Sequence, residues 1–98
     1  MAFTVTPHQL IQFADTLEGQ SLRTLHRLSP FGVTVLEGKL GFMPETQKKP
    51  RWQSLNRLEK VCQRFNQTGS YRPGDYTDLT FDASYVLTLI HKASRSLH

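Results

Sequence analysis

The spacing of hydrophobic side chains changes period twice along this chain, and that change most constrains its fold. Leu10, Ile11, Ala14 and Leu17 recur at three and four residues, with Phe13 beside them. Phe31, Val33 and Val35 then alternate every second residue, and Leu40 and Phe42 resume the alternation after Glu37-Gly38. From Trp52 the helical spacing returns through Leu55, Leu58, Val61, Cys62 and Phe65. A period near 3.6 lays one apolar stripe along a helix, and a period of 2 lays one apolar face on a strand.

Local signals set the boundaries. Thr6-Pro7-His8-Gln9 reads as a capped helix start, with Pro7 at the first helical position and Gln9 completing a capping box. Gly19 suits the residue after that helix, placed at about 7–18. Leu22, Thr24, His26 and Leu28 alternate with Arg23, Leu25 and Arg27 as a first strand, which Ser29-Pro30 breaks. Glu37-Gly38 is a tight-turn signal, and Pro44 ends a third strand. A second helix is predicted over 51–68, closed by Gly69. A loop rich in Gly, Pro, Tyr and Asp fills 69–79. A last helix, capped by Thr80 or Asp82, carries Ala83, Val86, Leu87, Ile90 and Ala93 on its apolar side, widened by Tyr85 and Leu89.

The order is α-β-β-β-α-α. Grouped strands with helices around them predict an α+β fold, a small three-stranded antiparallel meander with helices packed on one face. At 98 residues the chain forms one domain, spanning 1–98. A chain of this size buries roughly 60–65% of its unfolded surface, and the uncovered sheet face or edge predicts a homo-oligomer, most simply a homodimer.

Composition narrows the classes. Hydrophobic residues make up 38% and charged residues 20%, with a mean hydropathy of -0.42, the balance of a soluble globular domain. No run of about 18 apolar residues exists to span a bilayer. The first residues lack the basic and apolar regions of a secretory signal, and the single cysteine forms no disulfide framework, so a cytoplasmic location is expected.

The net charge of +4 is unevenly spread. Between Lys48 and Arg72 lie seven basic residues and one acid, Glu59, a net of +6 in 25 residues. The rest of the chain holds five basic and seven acidic residues, a net of -2. On the second helix Arg57, Lys60 and Arg64 fall within roughly 60°, about 140° from the apolar stripe. Gln53, Asn56, Gln63 and Gln67 flank them, and Lys48, Lys49 and Arg51 precede them. Arg, Lys, Gln and Asn are the side chains that meet phosphates and base edges. The face fits nucleic acid, either DNA or RNA, with Arg57, Lys60 and Arg64 on phosphates, Lys48, Lys49 and Arg51 extending the patch, and Gln53 or Asn56 toward bases. It also fits an acidic protein partner or a plainly solvated surface. The spacing of the last two helices, 10–14 residues, does not suit a helix-turn-helix.

A second set of residues suits a protein–protein or accessory module without nucleic acid: Trp52, Tyr71, Arg72 and Tyr76, types enriched in binding hot spots. The same tyrosines also serve as loop anchors. Catalysis is not expected. Cys62 lies on an apolar helix side, and no two histidines among His8, His26, His91 and His98 have helical metal-site spacing. Asp75, Asp78 and Asp82 lack the density of a calcium loop. The sequence points to no metal, cofactor or small-molecule substrate.

Overall fold

A computed structural model describes residues 4–45 and 49–96. It is an α+β fold with helices α1 (Pro7–Thr16), α2 (Leu55–Thr68) and α3 (Ala83–Ser96), and strands β1 (Leu22–Arg23), β2 (Pro30–Leu36), β3 (Lys39–Pro44) and β4 (Arg51–Gln53). The sheet is antiparallel in the order β1-β2-β3-β4, so it has one strand more than the meander expected from sequence. A 3-10 turn, Pro73–Tyr76, separates α2 from α3.

The added strand corrects the predicted helix over 51–68. Residues 51–53 pair with β3, with Trp52 opposite Gly41 and Gln53 opposite Leu40. Ser54 then caps α2, its Oγ accepting the Arg57 N–H at 3.2 Å. The first strand is shorter than expected. Only Leu22 and Arg23 pair with β2, because the chain at 24–29 folds into a turn in which the Thr24 and Ser29 backbones bond to each other. That turn holds Leu28 at a φ of 55°, a left-handed conformation no strand contains.

The register separates two faces. Phe31, Val33, Leu40 and Phe42 point inward and are buried. Gly32, Thr34, Leu36, Lys39, Gly41, Met43 and Trp52 alternate with them and share the outer face. α3 lies at the centre of the inner layer. Val86 through Ile90 are all buried, so its middle is covered on every side rather than along one stripe. Tyr85 stacks on Phe42 and tilts against Phe31, with centroids 5.5 and 4.8 Å apart, which joins α3 to the sheet. Asn66 of α2 accepts the Val5 N–H at 2.8 Å and donates to the Val5 carbonyl at 2.9 Å, holding the segment before α1 as a neighbouring strand would.

α1 has the expected capping box, Thr6 Oγ to the Gln9 N–H and Gln9 Oε1 to the Thr6 N–H. Among the described residues no helix is long and apolar enough to cross a membrane.

Candidate functional site

α2 presents the basic face. Leu58, Val61, Cys62 and Phe65 are buried beneath it, while Asn56, Arg57, Lys60, Gln63 and Gln67 are exposed. Gly69 ends the helix at a φ of 66°, its N–H donating to the Phe65 carbonyl at 2.7 Å.

The fold keeps only part of the expected patch open. Arg57 and Lys60 are exposed and form no ion pair among the described residues, and the same holds for Lys49. Lys48 lies outside the described residues. Arg64 is committed elsewhere. Its guanidinium donates to both carboxylate oxygens of Asp78, at 2.6 and 3.0 Å, and to the Asp75 carbonyl at 2.8 Å. That two-pronged contact holds the Asp78 carboxyl below the usual carboxylate range and raises the guanidinium further.

Arg51 and Gln53 leave the nucleic-acid set as well. Arg51 Nε lies 2.7 Å from Asp82 Oδ1, an ion pair without hydrogen-bond alignment at that oxygen. Gln53 is buried and donates to Asp82 Oδ2 at 2.8 Å and to the Arg51 carbonyl at 3.1 Å. A buried amide with two partners inside the fold does not reach a base edge. Asp82 therefore turns its carboxylate to β4 instead of capping α3. Lys49, Asn56, Arg57 and Lys60 remain as the open portion.

The aromatic set divides too. Tyr76 is fully buried, and its hydroxyl donates to the Ser70 carbonyl at 2.8 Å, so it is a loop anchor and touches no partner. Burial raises its phenol above the ordinary value. Tyr71 is half-buried between Phe65 and His91, with centroids 5.0 and 5.3 Å away. Arg72 is exposed. Trp52 is 44% exposed on the outer sheet face, its ring laid over Gly41. A Cβ on Gly41 would meet Trp52 Cε3 at 3.0 Å, so glycine is what lets the indole lie flat there.

Sequence reasoning did not single out Phe81, which is 90% exposed. Asp78 is tied to Arg64 in the second half of α2, and Asp82 to Gln53 just before its first turn. The chain from 78 to 82 therefore runs beside α2 in the opposite direction, and Phe81 stands out from that strap. Nothing in the local pattern marks it, because its exposure depends on anchors made with distant residues.

Two of the surface concavities lie beside residues named above. One, about 600 Å³, is mostly apolar and lies between Ile11, Leu40, Trp52, Leu55 and Leu58. The other, about 470 Å³, lies between the 24–29 turn and the start of α3, lined by Thr24, His26, Arg27, Ser29, Ser84 and Tyr85 together with Pro73. Among the described residues no three His, Cys, Asp or Glu side chains converge as metal ligands. Burial pushes the Cys62 thiol up to about 12, with Glu59 adding to the rise, which removes the thiolate a nucleophile needs. No protein-family model matches this chain, nor does any curated protein or solved structure.

Proposed function

We propose that the protein binds nucleic acid through the exposed side of α2, with Lys49, Arg57 and Lys60 meeting phosphates and Asn56 beside them. The supporting observation is that these three cations stand in solvent without a carboxylate partner among the described residues. Phe81, on the strap along the same helix, adds an aromatic face of the kind on which unpaired bases stack. Single strands are therefore the favoured form.

The test is fluorescence anisotropy of a labelled 20-nucleotide single strand across a salt series. Three phosphate contacts give a slope of log K against log salt of about -2.1 on a single strand, or about -2.7 on B-DNA. Combining Arg57→Glu with Lys60→Glu should shrink the single-strand slope by about 1.4 and weaken binding at least tenfold, or roughly 1.4 kcal/mol. Binding that ignores salt, or survives the double change intact, overturns the reading. Both side chains are exposed, so circular dichroism of the variant should match the parent.

A second reading, a protein–protein module without nucleic acid, is favoured by the outer sheet face, where Leu36, Met43 and Trp52 are 59%, 38% and 44% exposed. Its occupant there is a second copy of this chain.

A further inference from the structure

We infer that the concavity between the 24–29 turn and α3 is a binding site for a phosphate monoester. Four of the residues that line it carry polar groups without a hydrogen bond to the protein among the described residues: the Arg27 guanidinium and the hydroxyls of Ser29, Ser84 and Tyr85. Among the described residues no carboxylate lines it. One guanidinium and three hydroxyl donors form a set suited to the three terminal oxygens of a phosphate monoester. Its volume, about 470 Å³, lies within the range of small-molecule sites and exceeds what a bare phosphate fills. The remaining surface, Pro73 and the Tyr85 ring, is apolar enough to cover an organic body attached to that phosphate.

The walls are held in place. The Leu28 N–H donates to the Thr24 carbonyl at 3.0 Å, and the Ser29 N–H to Thr24 Oγ at 3.0 Å. The Leu25 N–H reaches Thr88 Oγ on α3 at 3.2 Å, and Arg23 holds the Leu28 carbonyl at 3.2 Å. His26 Nε2 donates to the Tyr71 carbonyl at 3.0 Å, since a carbonyl only accepts. The Tyr85 ring is fixed by Phe31 and Phe42. A six-residue turn tied to itself, to α3 and to residue 71 is preorganised, which lowers the ordering cost of binding.

The same phosphate chemistry occurs on a free nucleotide or at the 5′ end of a strand. The test is a ¹H–¹⁵N NMR titration with adenosine 5′-monophosphate, with inorganic phosphate, and with a short oligothymidine carrying either a 5′-phosphate or a 5′-hydroxyl. The expected result with the nucleotide is saturable shifts confined to residues 23–29 and 84–85. Arg27→Gln should weaken binding about tenfold or more, and Tyr85→Phe by a smaller factor. The Arg57→Glu, Lys60→Glu pair should leave binding of the nucleotide unchanged while weakening that of the strands, which separates this site from the α2 face. Binding of the nucleotide as tight as that of the phosphorylated strand assigns a free ligand. Tighter binding of the phosphorylated strand than of either the nucleotide or the 5′-hydroxyl strand assigns a strand end, and both support the site. Nucleotide shifts equal to those from acetate at matched ionic strength, nucleotide shifts spread over the surface, or indifference to Arg27→Gln overturn it.

Discussion

Glu37 and Gly38 sit at φ values of 53° and 76°, the pair of left-handed conformations that a two-residue turn between β2 and β3 requires. Glycine adopts this without penalty, but glutamate crowds its Cβ against the backbone. Asparagine tolerates the conformation far better and is the favoured first residue of such turns. Glu37 is exposed, so its replacement removes no buried contact. Glu37→Asn should therefore stabilise the fold by about 0.5–1 kcal/mol and raise Tm by roughly 2–8 °C in calorimetry. An unchanged or lowered Tm would show that the turn is not strained. The turn itself was legible in the sequence as Glu37-Gly38, as was the capping box at Thr6 and Gln9. The fates of single cations were not. Whether Arg64 faces solvent or Asp78 depends on where the chain fourteen residues later returns, which no local spacing encodes.

At the scale of elements, α1, the β2–β3 hairpin and α3 follow from local period and punctuation, because each satisfies its own backbone and buries one contiguous surface. β4 was hidden for a physical reason. Trp52 stands three residues before Leu55, so the helical spacing runs through the strand boundary without a break. Three residues are too few to display an alternation. The signal that marks the boundary is Ser54, a capping residue three positions before Arg57. The loop after α2 is tied to it by Arg64 and Asp78, and this tie responds to acid. A carboxyl whose folded value is depressed contributes its full stabilisation above its ordinary value, about 4, and loses it as pH falls through the lowered one. Thermal melts from pH 7 to pH 2.5 should show Tm falling below about pH 4. Asp78→Asn should lower Tm at pH 7 and flatten part of that acid limb. A variant whose acid limb matches the parent's would show that the pair contributes nothing.

For the whole molecule, the inner layer is closed around α3 and the outer face of the sheet is not. Lys39 begins β3 and Glu45 follows its end. Two such faces stacked about a two-fold axis perpendicular to β3 bring each Lys39 toward the other copy's Glu45, with Trp52, Met43 and Leu36 between them. The protein–protein reading thus predicts a mass that rises from 11.3 kDa toward twice that with concentration in sedimentation equilibrium. Trp52→Lys should hold it at the single-chain value. A parent that sediments as one chain at every concentration removes this reading and leaves the α2 face untouched.

The carboxylate of Asp82 joins β4 to the beginning of α3 across 29 positions of sequence, with Arg51 and Gln53 both held to it. An edge strand of three residues would ordinarily peel from its sheet by itself. Here it cannot leave without breaking the Arg51–Asp82 ion pair and the Gln53–Asp82 hydrogen bond at the base of the central helix. Amide protons at 51–53 and in the first turn of α3 should therefore trade with solvent deuterium at one shared rate in hydrogen exchange, as a single cooperative unit.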